Sequence, residues 1–180
     1  MERGKALRRT GRLEAAHSVL NQAFEMSVAD ADFFASASAS GDLALTMIVL
    51  GHSDEAASML NEMHRRVIER KIRMYPVCGM YLALAELALL RLERGTTRII
   101  DARRACHEAN RKGRPFSTAR PAALRLEGRL AALSRQPRRA ERLWRRAAAV
   151  AEKLGAHYES SLIERERERD RHRMATENDD

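Results

Sequence analysis

The chain has 180 residues, of which 44 % are apolar and only 4 % aromatic, and 30 of them are alanine. Strand-favouring residues such as Val, Ile, Thr, Tyr and Phe are scarce, so the composition argues against a β-sheet protein and favours helices packed through small side chains. The formal net charge is +8 and is uneven, because residues 91–155 carry 18 basic and 6 acidic side chains. Such a basic middle attracts anionic partners, although the excess of arginine over lysine (29 to 4) also fits the codon bias of a GC-rich genome.

The N-terminal part of the chain begins with a basic stretch, residues 1–10, which we expect to be a flexible lead. Apolar residues then recur at helical spacing from Gly11 onward. A second helix is predicted from Phe33 to Leu50, with Asp30 and Asp32 as candidate N-caps. Serine and alanine dominate the first half of this helix, so we expect that half to be loosely packed.

The middle of the chain continues the helical pattern. Gly51 ends the preceding helix, and the next helix is predicted to run to about Arg70. Pro76 stands at the first turn of a helix that is apolar on most sides and that Gly95 closes, so it is expected to be buried. A further helix leads to a break at Gly113.

The stretch from Ala122 to Gly155 contains the clearest helical hairpin, with Pro137 at the turn between its two helices. One more helix should follow Gly155. Its charged end and a disordered tail are predicted to occupy residues 164–180. The whole chain is therefore predicted to be all-α, with about seven or eight helices.

A pattern of small and large residues marks the contact between the two helices of this hairpin. Gly128 is followed twelve residues later by Ala140, then by Trp144 and Ala147, all at helical spacing. We name the face formed by the last three residues the seam. Three weaker copies of the seam stand upstream, so the first alanines of the four seams are Ala16, Ala56, Ala102 and Ala140. A period near forty residues predicts stacked helical hairpins in one domain over residues 11–163.

This pattern resembles the tetratricopeptide repeat superfamily, in which a small residue of the first helix faces a small, a large and a small residue of the second. Gly128, Ala140, Trp144 and Ala147 carry the resemblance best. The resemblance implies a right-handed superhelix of antiparallel hairpins that binds a protein or peptide. The long period is similar to the C-terminal arrays of bacterial signal-transduction ATPases and of maltose-regulator-type transcription activators, which implies a scaffold in bacterial signalling or transcription regulation, in the cytoplasm.

Two features depart from the repeat pattern. Two extra residues precede Ala102, and the first seam, at Ala16, stands on a helix for which we expect no preceding partner helix. An uncovered flank there predicts self-association, a covering partner, or a preceding domain. The chain would in the last case be the detached C-terminal part of a larger signalling ATPase. Gly4-Lys5 is not a P-loop, so ATP binding by this chain is not expected.

Two groups of arginines are candidate partner-binding residues. On the superfamily pattern Arg125 and Arg129 would face a groove and could clamp a carboxylate or phosphate, or else be solvated and paired with Glu127 or Glu141. The second group forms one stripe on the following helix and could contact an acidic protein or a nucleic-acid backbone, or simply be a solvated face. Its members are Arg138, Arg142 and Arg145.

Other chemistry is not expected. No residues stand at the spacing of a catalytic triad, a cofactor loop or a metal site, so we predict a chain that is not an enzyme and has neither cofactor nor metal. Cys78 and Cys106 form no CxxC pair, and Cys106 at a seam position should be a small buried residue. The longest apolar run, Leu43 to Leu50, is too short to cross a bilayer.

Overall fold

The structure is a computed structural model that describes residues 1–72 and 77–178. The described residues contain α-helices and no strand, which confirms the predicted all-α class. The part of the chain described in this way has nine helices: α1 (Glu2–Arg9), α2 (Leu13–Ala29), α3 (Phe33–Leu50), α4 (Ser53–Glu69), α5 (Cys78–Glu93), α6 (Ile99–Gly113), α7 (Arg120–Leu133), α8 (Pro137–Lys153) and α9 (His157–Asn178).

Local signals in the sequence set several helix ends. The carboxylate of Asp32 accepts a hydrogen bond from the backbone N–H of Ala35 at 3.0 Å, so Asp32 is the N-cap of α3. Gly51 ends α3 in the left-handed conformation, with φ of 92°. Pro137 occupies the first turn of α8, where its missing N–H leaves no donor unsatisfied. Pro76, the predicted start of the fourth helix, lies outside the described residues.

The helices group into two compact units, residues 1–90 and residues 91–180. In unit 1, α1 packs on α2 and α3, α2 packs on α3, and α3 packs on α4. In unit 2, α6 packs on α7, α7 packs on α8, and α9 contacts both α7 and α8. Most of these contacts therefore join helices that are neighbours in sequence. The single domain predicted over residues 11–163 stays a prediction.

Helix α1 corrects the expectation of a flexible lead over residues 1–10. A Cβ on Gly4 would lie 2.5 Å from Cγ of Leu20, so the glycine lets α1 lie directly on the first seam. Arg8 Nη2 and Lys5 Nζ also reach the Asp42 carboxylate of α3, at 3.1 Å and 3.6 Å. The uncovered flank expected on α2, which was the premise for self-association, is covered by α1. This helix also raises the count above seven or eight.

Helix α3 is closely packed, so the expectation of a loose first half is wrong. Ser40 and Gly41 are buried, and a Cβ on Gly41 would lie 2.6 Å from the backbone nitrogen of Met80 on α5. The small residues thus bring the backbones of α3 and α5 together. By length and composition alone α3 could span a bilayer (18 residues, mean hydropathy 1.5), but 56 % of it is buried inside the protein. A buried core helix and a signal sequence near an N-terminus both pass the same test, so a single helix of this kind is weak evidence for a membrane span.

The seam positions are buried as the sequence predicted. The four first alanines, one on each even-numbered helix, have no exposed surface; they are Ala16, Ala56, Ala102 and Ala140. The position four residues later, which is large in three of the four copies, is also buried; the residues there are Leu20, Leu60, Cys106 and Trp144. Small residues at the first position let the two backbones approach, and the large residue fills the space beside them.

The C-terminal helix extends further than expected. A disordered tail was predicted within residues 164–180, but α9 continues to Asn178. Ion pairs at spacings of three residues support this charged segment, such as Arg167–Glu164 at 2.9 Å.

Candidate binding surface on helices α7 and α8

The hairpin of α7 and α8 is held by the contact of one glycine with one tryptophan. A Cβ on Gly128 would overlap the indole of Trp144, at 2.5 Å from Cδ1. The indole Nε1–H donates a hydrogen bond of 3.2 Å to the backbone carbonyl of Arg125. Trp144 is therefore a buried core residue whose polar atom is satisfied, and it fixes the rotation of α8 on α7.

Trp144 determines which side of α8 faces solvent. The buried face of this helix comprises Ala140, Leu143, Trp144, Ala147 and Ala151. The arginines lie on the opposite side, where they are exposed. They are Arg138, Arg139, Arg142, Arg145 and Arg146.

The first candidate pair, Arg125 and Arg129 on α7, is buried instead of facing an open groove. Each residue is only 6 % exposed. Arg125 Nη1 donates to Glu166 Oε1 at 3.0 Å, and its Nε donates to Glu159 Oε2 at 3.3 Å. These two glutamates belong to α9, so Arg125 joins α9 to α7.

Arg129 completes the same ion-pair network. Its Nε and Nη2 donate to the two oxygens of Glu93 at 3.0 Å and 2.7 Å, which is a bidentate pair. Its Nη1 also lies 3.6 Å from Glu166 Oε1. A buried charge is stable only when it is paired and hydrogen-bonded, and here the chain supplies those partners itself. The geometry assigns both arginines to the packing of unit 2.

The neighbours that the sequence suggested for these arginines have other partners, which corrects the alternative interpretation. Glu127 accepts a hydrogen bond of 2.8 Å from the side-chain amide of Asn110 on α6. Glu141 is paired with Arg167 of α9. The true partners Glu159 and Glu166 lie more than thirty residues from Arg125.

Sequence reasoning missed the role of α9 in this network. Glu159, Ile163 and Glu166 stand at i, i+4 and i+7, and therefore on one face of a helix. Ile163 is fully buried. The sequence contained a signal for this contact: a carboxylate, an aliphatic residue and a second carboxylate share one face of α9, and two arginines share one face of α7. The alternating charges of the segment hid it, because each glutamate also has an arginine beside it in sequence.

The second candidate group is exposed on α8, as the stripe predicted. We name Arg138, Arg142 and Arg145 the α8 arginine row. All three are exposed, and Arg145 Nε lies 3.6 Å from Glu141 Oε1. In the part of the chain that the structure describes, Arg138 and Arg142 have no carboxylate partner.

The charge of the row is not balanced by its own helix. Residues 137–153 hold six basic and two acidic side chains. One of the two acids, Glu141, is held mainly by Arg167 of α9, which keeps the pKa of the Glu141 carboxyl below its usual range. Glu141 is thus shared between two arginines of different helices, and little negative charge remains for the row.

Some exposed arginines on other helices are paired with carboxylates of the same helix. On α4, Arg65 contacts Glu62 at 2.8 Å and Glu69 at 2.6 Å. On α6, Arg111 contacts Glu108 at 2.6 Å. Local pairs of this kind are the ordinary state of a solvated helix face. In the α8 arginine row, Arg145 has the 3.6 Å contact with Glu141, whereas Arg138 and Arg142 have no such pair among the described contacts.

An open cleft of about 470 Å³ lies between the start of α8 and the second half of α9. Its wall combines both signs of charge, so no single ligand class follows from it. The lining residues are Pro137, Glu141, Trp144, Glu164, Arg167, Asp170 and Arg171.

The described residues contain no group of three or more His, Cys, Asp or Glu side chains placed to hold a metal ion. Both cysteines, Cys78 and Cys106, are buried and free of disulfides. The burial expected for Cys106 at a seam is confirmed, and its Sγ lies 3.9 Å from the carbonyl oxygen of Leu126.

No protein-family model matches the sequence, and no curated protein matches it significantly.

Proposed function

We propose that this chain is a non-enzymatic helical-repeat module that binds a protein partner, as a scaffold in bacterial signalling or transcription regulation. The observation that supports the proposal most directly is the recurrence of the seam on α2, α4, α6 and α8, with a fully buried alanine at the first position of each. Hairpins of this kind cannot bury their apolar stripe alone and are stabilised by stacking on one another.

The proposal includes a tetratricopeptide-like arrangement, in which the hairpins stack as a right-handed superhelix. Two glycine contacts support it. Gly4 lies over Leu20, and Gly128 lies over Trp144. In each pair the two residues are sixteen positions apart in the sequence. Repeat arrays of this kind present extended surfaces and serve mainly to bind other proteins. A cytoplasmic location belongs to the same proposal, and two cysteines that form no disulfide fit a reducing compartment.

Site-specific photo-crosslinking in the cells that make the protein tests this proposal. A photoreactive amino acid is placed singly at exposed positions of different helices, for example Val49, Arg104 and Arg142. We expect one or more positions to trap a discrete protein, and the purified partner to bind the full chain in a titration. Positions in the buried seams serve as controls and should trap nothing. If no surface position traps a protein, the proposal fails.

The alternative function is binding of nucleic acid or another anion through residues 91–155. The exposed and locally unbalanced α8 arginine row favours it. A filter-binding titration with RNA and duplex DNA at low and high salt decides the matter, because binding to phosphates weakens steeply with salt. A signal that is absent at low salt eliminates this alternative.

A further inference from the structure

We infer that the α8 arginine row is the docking surface of this chain and that it receives an acidic helix of a partner protein. The inference rests on the proposed function and names the partner's chemistry. It depends on the geometry of the row, on its exposure, and on the excess of basic over acidic side chains on α8.

The row has a defined length and pitch. Arg138, Arg142 and Arg145 stand at i, i+4 and i+7 on one continuous helix, and therefore span about 10 Å along one face at 1.5 Å per residue. Two helices that cross at a shallow angle keep such rows opposite each other for about two turns. A helix with carboxylates at the same spacing can pair with all three arginines at once.

The buried side of α8 makes the row rigid. Trp144 lies between Arg142 and Arg145 in sequence, and its indole is fixed by Gly128 and by the carbonyl of Arg125. The helix cannot rotate about its axis without losing these contacts. Its backbone is therefore preorganised, which reduces the entropy lost when a partner binds.

The surroundings of the row favour a helix over a nucleic acid. The residues of α8 include no Tyr or Phe, and its single tryptophan is buried, so bases would find no stacking partner. Glu141 and Glu164 line the cleft beside the row and are about half exposed. A phosphate backbone that extends beyond 10 Å on that side would meet these carboxylates, whereas a helix of mixed charge can avoid them.

A pair of synthetic peptides tests the inference with the full-length chain. Both peptides have the same composition and are held helical by the same staple. In the first, three glutamates stand at i, i+4 and i+7, while in the second the same glutamates are distributed around the helix. We expect the chain to bind the first about tenfold more tightly in a fluorescence-anisotropy titration, because each exposed ion pair contributes a small factor.

Matched variants locate the binding. One triple variant removes the row and should bind both peptides equally; it carries Arg138→Gln, Arg142→Gln and Arg145→Gln. The second triple variant should keep the preference for the first peptide; it carries Arg103→Gln, Arg104→Gln and Arg114→Gln. The second variant removes the same charge from exposed positions outside α8. Far-UV circular dichroism checks that both variants remain helical.

Three outcomes would overturn the inference. The first is equal binding of the two peptides by the wild-type chain, and the second is an equal loss of preference in both triple variants. The third is a 20-base-pair duplex DNA that binds tenfold more tightly than the first peptide. The crosslinking experiment separates this failure from that of the proposed function. A partner trapped only from other helices would leave the scaffold function standing and remove the docking surface from α8.

Discussion

Trp144 is the residue on which unit 2 depends most. It is 2 % exposed, contacts Gly128 and donates its N–H to a buried carbonyl. Trp144→Ala removes this side chain from the packed α7–α8 contact and should lower the free energy of unfolding by about 3–5 kcal/mol. Urea unfolding followed by far-UV circular dichroism measures the loss. A change below about 1 kcal/mol would show that Trp144 is not a core residue.

Gly128 is predicted to be the most restrictive glycine of unit 2. Gly128→Ala places a methyl group against the indole of Trp144, so α7 and α8 must separate or the indole must rotate. We expect a destabilisation of about 1–3 kcal/mol, seen as a lower thermal midpoint.

Gly113→Ala is the control for this substitution. A Cβ there would lie 3.5 Å from the nearest atom, Cβ of Ala119, which is an ordinary contact. The control should be neutral or slightly stabilising, because alanine favours helix over glycine. Equal effects of the two substitutions would contradict the close packing of Gly128.

At the scale of the helix, α9 is docked by a buried ion-pair network together with the buried Ile163. Glu166 is buried between Arg125 and Arg129, and Glu166→Gln leaves these guanidiniums with less negative charge. We expect a destabilisation of about 1–3 kcal/mol. In hydrogen exchange the amides of α9 should lose more protection than those of α7 and α8. Glu168→Gln, at an exposed position of α9, should change neither measurement.

The contact of α8 with α9 should depend on pH through Glu141. Arg167 lowers the pKa of this carboxyl in the folded chain, so its stabilising contribution is present at neutral pH and is lost as the pH falls through that lowered value. The difference in stability between the wild-type chain and Glu141→Gln should therefore shrink on acidification below about pH 4. Unfolding titrations at several pH values measure it.

Glu152→Gln is the control on the same helix. Glu152 is exposed and makes no ion pair among the described contacts of α8. Its substitution should change the free energy of unfolding at neutral pH by less than Glu141→Gln does. A pH-independent difference for Glu141→Gln would show that the Arg167 pair does not stabilise the fold.

The helices were largely predictable from the sequence, because glycines and an N-cap mark their ends and the seams mark their buried faces. Helix α1 was not predicted, although Gly4 precedes Ala16 by the same twelve residues that separate Gly128 from Ala140. Its polar, arginine-rich composition concealed that spacing. The pairing of Arg125 with Glu166 was beyond prediction, since local spacing suggests nearer acids and only tertiary packing selects a distant one.

At the scale of the whole molecule, the two units differ in charge. Residues 1–90 carry 10 basic and 11 acidic side chains, whereas residues 91–180 carry 23 and 14. Unit 1 is therefore nearly neutral and unit 2 has a net charge of +9. An anionic partner of any kind is attracted first to unit 2, which is the unit that contains the α8 arginine row.

The division into two units predicts separate responses to mutation. Gly41→Ala forces a methyl group into the backbone of α5 and should destabilise unit 1. The fluorescence of Trp144, the single tryptophan, reports on unit 2 alone. We expect urea unfolding followed by circular dichroism to shift further than unfolding followed by fluorescence, because contacts in helical arrays are local.

Gly79→Ala is the control, since a Cβ on Gly79 would meet nothing closer than 3.9 Å. It should leave both unfolding curves nearly unchanged. Coincident shifts of the two curves in Gly41→Ala would show that the chain unfolds as one cooperative body.

The glycine–tryptophan contact of the last hairpin also constrains how this protein can evolve. The volume that Trp144 requires exists only because position 128 lacks a side chain, and Leu20 has the same relation to position 4. We therefore expect positions 128 and 144 to vary together, and likewise positions 4 and 20. A smaller residue at 144 permits a larger one at 128, so substitutions there should be epistatic. Recombination between positions 128 and 144 should separate the glycine from its matching tryptophan, whereas exchange of the whole hairpin keeps the two residues together.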